Sequence, residues 1–142
     1  MFKVVKLIRP LYVDSIIIID NYDSYYIYGR DVYIVYYLLK LSIKGTGKFK
    51  FIKNNIDYLN YLIAKLKEYQ INYVVLVKRW GYNVDVEEIF NSNNYNKFYI
   101  KGKLVYKRIK DVMQIRNMLR VNILDNKDKI EKIKRLIDSY VW

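Results

Sequence analysis

The sequence predicts an α+β fold, a single compact domain over residues 1–142 with short antiparallel strands or hairpins and about four helices. Three observations lead there. Of the 142 residues 53% are hydrophobic, enough for one domain of this length to bury an interior. Short β-branched runs occur along the chain with longer segments whose apolar residues recur at three and four. No repeat, low-complexity tract or linker divides it, and residues 1–53 are set off only as a candidate N-terminal subdomain.

Residues 2–8 alternate weakly and Ile16–Ile19 is a wholly apolar β-branched run, so two strands joined around Pro10 to Asp14 are expected. Asp20 to Ser24 is a turn cluster, because Asp and Asn side chains bond to nearby amides and tolerate unusual φ. The run from Arg30 to Ser42 is long for a strand, and Leu38, Leu39 and Leu41 make it a buried helix. Past Gly45 and Gly47, Lys48–Ile52 alternates with period two, which predicts a strand with Phe49 and Phe51 inside. Asn54 or Asn55 caps a helix whose stripe is Ile56, Leu59, Leu62, Ile63 and Leu66. Tyr73–Val77 then favours a strand, and Asp85 to Phe90 one helical turn. Asn91 to Asn96 reads as a polar loop, and Lys101-Gly102-Lys103 as the turn of a hairpin between Phe98–Ile100 and Leu104–Tyr106. Two helices end the chain, Lys110–Leu119 and one from Asp125 or Asn126 to Tyr140, the latter with Ile130, Ile133, Leu136, Ile137 and Tyr140 on one stripe and Lys127, Lys132, Lys134 and Arg135 off it.

Composition narrows the chemistry. The chain has neither His nor Cys, which removes the usual transition-metal ligands, the Ser-His-Asp and Cys-His triads and any disulfide. Catalysis would rest on Asp, Glu, Lys or Tyr, or on a hard cation held by carboxylates; no cofactor is expected. Lys3, Lys6 and Arg9 interrupt the apolar start, against a signal peptide, and no run of 18 apolar residues offers a membrane span. A cytoplasmic protein, or a virion component assembled inside a cell, is the expectation. With 26 Lys and Arg against 14 Asp and Glu the formal charge is +12, which attracts polyanions, nucleic acid first among them. A Lys-, Ile-, Asn- and Tyr-rich composition is also what an AT-rich genome yields whatever the function.

The densest local signal is the basic hairpin. Lys97, Lys101, Lys103, Lys107, Arg108 and Lys110 fall within 14 residues without an acid, interleaved with Phe98, Tyr99 and Tyr106. Flexible cations on a ribbon can follow a phosphate backbone, and an outward ring such as Tyr99 or Tyr106 can stack on an unpaired base; alternating aromatics are also ordinary core. Asp20 and Asp23, with Asp85, Glu87 and Glu88, form a second candidate set, able to hold Mg²⁺ for phosphodiester hydrolysis or simply to cap turns and a helix start. The 17 tyrosines lack the His that usually accompanies a strand-cleaving Tyr nucleophile.

Two resemblances follow. Ile16 to Ser24 resembles the opening strand and turn of class I glutamine amidotransferases, but those enzymes require a Cys nucleophile and a His base, so only a strand and tight turn carry over. Read in order, Tyr28-Gly29, the helix with Tyr36 to Leu39, Lys44-Gly45 and the strand at Lys48–Ile52 resemble the small N-terminal domain of archaeal tRNA splicing endonuclease subunits. Lys78 to Val84 is similar to that family's RGYxV step, and Arg116 to Val121 to its LxRxA helix. The family's catalytic His has no counterpart, so the resemblance implies the noncatalytic, structural subunit, which pairs with a catalytic partner and helps dock a folded RNA. The expectation is therefore a non-enzymatic basic protein that binds nucleic acid, RNA before DNA, within a larger assembly or as a homo-oligomer and away from membranes. A metal-dependent nuclease, or a small structural or host-interaction protein of an archaeal virus or plasmid, is the alternative.

Overall fold

The computed structural model describes residues 1–123 and 127–142, with side chains described outside 118–130. The chain is α+β, as expected, and divides into two compact units, Met1–Gly102 and Lys103–Trp142. In the first unit the order is α1 (Phe2–Ile8), β1 (Ile16–Asn21), β2 (Ser24–Tyr28), α2 (Asp31–Leu39), β3 (Phe51–Asn55), α3 (Leu59–Glu68), β4 (Tyr73–Lys78), β5 (Tyr82–Glu88) and the start of α4 (Tyr95–Ile123). The five strands form one sheet ordered β3-β2-β1-β4-β5. β1 and β4 pair in parallel and every other pair is antiparallel.

The central strand explains the two cores. Ile16 to Ile19 are all fully buried, and the period of two sends Ile16 and Ile18 to one face and Ile17 and Ile19 to the other. On the first face they meet Tyr25, Ile27, Ile52, Tyr73 and Val75, covered by Val32, Ile34 and Val35 of α2 and Leu62 and Leu66 of α3. Each such side chain contributes about 1.5–3 kcal/mol. On the second face Ile17, Ile19, Val74 and Leu76 are covered by α1 through Val5, with Met1, Val4 and Ile8 beside it.

One buried carboxylate ties this unit together. Asp31, wholly inaccessible, accepts from Arg9 at 2.6 Å, from the Ile17 amide at 2.9 Å and from the Tyr95 hydroxyl. Burial pushes its pKa up, and Arg9, the amide and the hydroxyl pull against that. Three segments far apart in sequence, Arg9, β1 and α4, thus converge on the first turn of α2. The second unit holds the remainder of α4 and α5 (Lys127–Val141). Its Val112, Ile115, Ile133, Leu136, Ile137 and Tyr140 line a hollow of about 290 Å³, so four of the five expected stripe residues share one surface. The fifth, Ile130, the off-stripe Lys127, the caps Asp125 and Asn126, and the expected helix end at Leu119 with most of the Arg116 to Val121 motif lie outside the described residues or side chains. Among the described residues no helix is long and apolar enough to cross a membrane.

Four elements differ from expectation. Residues 2–8 are helix, because Met1, Val4, Val5 and Ile8 recur at three and four and put Lys3 and Lys6 on the wet side. The third strand begins at Phe51 after a 3-10 turn at Gly47–Phe49, so Ile52 enters the core and Phe49 is exposed; one residue of register exchanges the faces. Asp85 to Glu88 belongs to strand β5, not to a helical turn, and Glu87 and Glu88 therefore sit on a sheet edge far from any helix dipole role. The basic hairpin does not exist: Lys97 to Lys110 is helical throughout. The buried residues Tyr95, Phe98, Gly102, Val105 and Val112 have heptad-like spacing, and Gly102 is there for close approach, since a Cβ would lie 2.1 Å from the Tyr33 carbonyl oxygen.

Candidate nucleic-acid interface

The second face of the sheet is only partly covered by the seven residues of α1. Ile19 and Leu76 are buried on this face, and its more exposed end lies past them, where β1 and β4 finish and turn into β2 and β5. Register places Lys53, Tyr26, Ile19, Leu76 and Val84 in one row across all five strands, with Lys78 and Tyr82 paired in the next row. Tyr26 lies parallel to Tyr28, ring centroids 6.0 Å apart and planes within 8°, and the Lys53 ammonium sits 5.7 Å from the Tyr26 ring. Burial pushes the Tyr28 hydroxyl pKa up, with the hydroxyls of Tyr26 and Tyr82 adding to that shift.

The rim consists of two hairpin turns. Tyr22 at the β1–β2 turn (φ +64°) carries the Arg79 guanidinium 5.7 Å from its ring centroid. In the β4–β5 turn the Arg79 amide donates to the Gly81 carbonyl at 2.9 Å, and Trp80 is held at φ +55°. A bulky residue at positive φ is strained, and Trp80 has no burial to offset that, its side chain being fully exposed. Four aromatic side chains (Tyr22, Tyr26, Trp80, Tyr82) and three cations (Lys53, Lys78, Arg79) thus share one end of the sheet. From β3 to β5 it spans about 19 Å. Rings and cations in such an arrangement are chemically able to stack on planar groups and to hold anionic ones.

The residues singled out from sequence are elsewhere, all on α4. Lys97 and Lys101, one turn apart, both approach the Phe98 ring, at 5.9 and 5.3 Å. Tyr99 is packed, edge-on to Tyr33 at 6.0 Å and parallel to Tyr95 at 6.3 Å. In the second unit Lys103, Lys107 and Lys110 recur at four and three on one stripe, with the Lys110 ammonium 4.7 Å from the Tyr106 ring, while Arg108 lies against Tyr140 at 5.4 Å. The helix therefore divides these cations among different faces and gives Tyr99 a packing role. The acidic set is dispersed as well. Glu87 accepts from Tyr12 at 3.4 Å, Glu88 from Tyr73 at 2.7 Å, and among the described residues no group of three carboxylates gathers to hold a metal.

The sequence carried a signal for the elements at this end, though not for the site. Ser24 to Tyr28 alternates, and Arg79-Trp80-Gly81 between Tyr73–Lys78 and Tyr82–Glu88 is the short turn of a hairpin. No family model matches the chain and no curated protein matches its sequence. The region that resembles an RGYxV step is this β4–β5 turn, preceded by a strand where the endonuclease resemblance implies a helix.

Proposed function

We propose that the protein is a non-enzymatic binder of single-stranded nucleic acid, RNA in the first instance, that uses the open end of its sheet. The observation that carries this reading is Trp80, a large apolar ring in a strained backbone conformation, fully exposed and next in the chain to Arg79, whose guanidinium lies over Tyr22. A side chain that contributes nothing to the core yet costs backbone strain is explained by something it binds. Bases stack on such rings at about 1–3 kcal/mol each, and sheets that bind RNA present aromatics in this way. Lys53, Lys78 and Arg79 supply the phosphate contacts, and the net charge of +12 raises the encounter rate.

The test uses tryptophan fluorescence. The chain has two Trp, so Trp142→Phe leaves Trp80 as the sole reporter. Titration with an oligouridylate should quench it, with an affinity that falls with salt at a logarithmic slope of about −0.7 per phosphate contacted. An unchanged Trp80 signal at saturating oligonucleotide, with binding detected by another method or not at all, would remove the sheet end as the site.

A further inference from the structure

A hollow of about 330 Å³ opens in the first unit between α1 and the residues that follow β2. It is lined by Phe2, Tyr28 and Gly29 together with four cations, Lys6, Arg9, Arg30 and Lys48, and by no acidic side chain. The two arginines are already committed. Arg9 donates to the carbonyls of Tyr12 and Ser15, at 3.2 and 2.8 Å, and to Asp31 at 2.6 Å. Arg30 donates to the Val13 carbonyl and to Asp14 at 3.0 Å, with its guanidinium 4.9 Å from the Tyr95 ring. Each arginine has one carboxylate partner, so together they form a fixed and nearly neutral wall. Lys6 and Lys48 have no carboxylate partner among the described residues, which leaves two positive charges facing the hollow; the Lys48 ammonium is 5.2 Å from the Phe49 ring.

From this we infer that the hollow binds a nucleoside phosphomonoester, with Lys6 and Lys48 on the phosphate and the rings of Phe2 and Tyr28 against the sugar or base. A phosphomonoester carries about −1.5 to −2 at neutral pH, which matches the uncompensated charge. The volume lies at the lower end of the range of small-ligand pockets, about 300–1,000 Å³. Tyr28 lines the hollow and stacks on Tyr26 of the sheet-end platform, so a strand lying on that platform would bring its terminal phosphate here. The strand-end form of the inference rests on the nucleic-acid reading above; a free mononucleotide has the same chemistry and does not.

The experiment compares three probes at one salt concentration: an oligouridylate, the same oligomer 5′-phosphorylated, and uridine 5′-monophosphate. Each is titrated against the natural protein, Lys6→Gln/Lys48→Gln, and the charge-matched control Lys97→Gln/Lys101→Gln. The phosphorylated oligomer should bind about tenfold tighter than the unphosphorylated one, as charge-assisted hydrogen bonds to a terminal phosphate require. Lys6→Gln/Lys48→Gln should abolish that advantage and the control should keep it. If the mononucleotide binds as tightly as the phosphorylated end and the same variant weakens it, the ligand is the free nucleotide. Binding of the mononucleotide without either oligomer supports the hollow and removes the nucleic-acid reading. Equal binding of the two oligomers with no binding of the mononucleotide, or an advantage that survives Lys6→Gln/Lys48→Gln, overturns the inference while leaving the sheet end in place. No binding of any probe removes both.

Discussion

The two faces of the sheet use tyrosine in opposite ways. On the helix-covered face Tyr25 and Tyr73, with Tyr95 from α4, are buried, and each hydroxyl has a partner: Asn54 at 3.1 Å, Glu88 at 2.7 Å and Asp31. At the open end Tyr22 and Trp80 are exposed, Tyr26 and Tyr82 are half-covered, and their neighbours are cations. The same amphipathic ring serves as core filling where its hydroxyl is satisfied and as a contact surface where its face is left bare. A count of 17 tyrosines conceals this division; only the pairing of strands reveals it.

The largest effect should follow from breaking the buried side. Asp31→Ala leaves Arg9 without its carboxylate and Tyr95 and the Ile17 amide without an acceptor, which should cost about 3–5 kcal/mol, read as a lower urea midpoint at unchanged slope. No single substitution at the open end should approach that. A full unfolding transition at the natural midpoint would show that the network is dispensable.

Alkaline pH should act next, through the buried tyrosines. Burial raises the pKa of Tyr73, with Glu88 adding to it, and burial raises that of Tyr95, with Asp31 adding and Arg30 and Arg9 opposing. Burial also raises Tyr25. Unfolded tyrosines ionise near pH 10, so stability held by these neutral hydroxyls is fully present below that value and is lost as pH rises toward the folded values. The melting temperature should therefore fall above about pH 10, and Tyr73→Phe should lessen the fall. A fall as steep in Tyr73→Phe as in the natural protein would contradict the assignment.

At the open end, function and stability should move independently. Trp80→Ala and Tyr26→Ala should each weaken oligonucleotide binding about tenfold. Trp80→Asn should do the same while raising stability by up to about 1 kcal/mol, because Asn tolerates positive φ where Trp does not. Loss of binding together with loss of stability would mean that Trp80 is structural.

How far the sequence disclosed this arrangement depended on whether one pattern had one reading. The Ile16–Ile19 strand was legible from its β-branched run, the Asp31–Leu39 helix from a length too great for a strand and its leucines, and the helix after Asn55, whose side chain accepts from the Asp57 amide at 2.9 Å, from its apolar period and cap. Lys3 and Lys6 among valines fit a strand nearly as well as a helix over so few residues, and only packing on Val74 and Leu76 selects the helix. β5 was obscured by Asp85, Glu87 and Glu88, acceptable on an exposed edge although such residues rarely favour strands. Gly102 read as a turn because its real reason, contact with Tyr33, lies 69 positions away in the chain. The candidate site was lost for the same cause: Tyr26, Lys53, Lys78 and Tyr82 are unremarkable in sequence and meet only through strand register.

The smallest expected effect concerns the cations that the sequence singled out. Lys101, Lys103, Lys107 and Arg108 do not share a ribbon, and Arg108 lies against Tyr140 within the second unit. Changing all four to Ala removes four of the 26 basic residues, which lowers the long-range attraction for any polyanion without removing a stacking ring. The variant should bind every oligonucleotide more weakly by a similar small factor, with the same Trp80 quenching at saturation, because groups that act through net charge change affinity and leave the bound geometry alone. Changing Lys132, Lys134 and Arg135 of α5 should have a comparable effect, reduced in proportion to the charge removed. Affinity lost only with the first variant would restore α4 as a phosphate-binding element; altered quenching at saturation would mean that α4 and the sheet end bind the same strand.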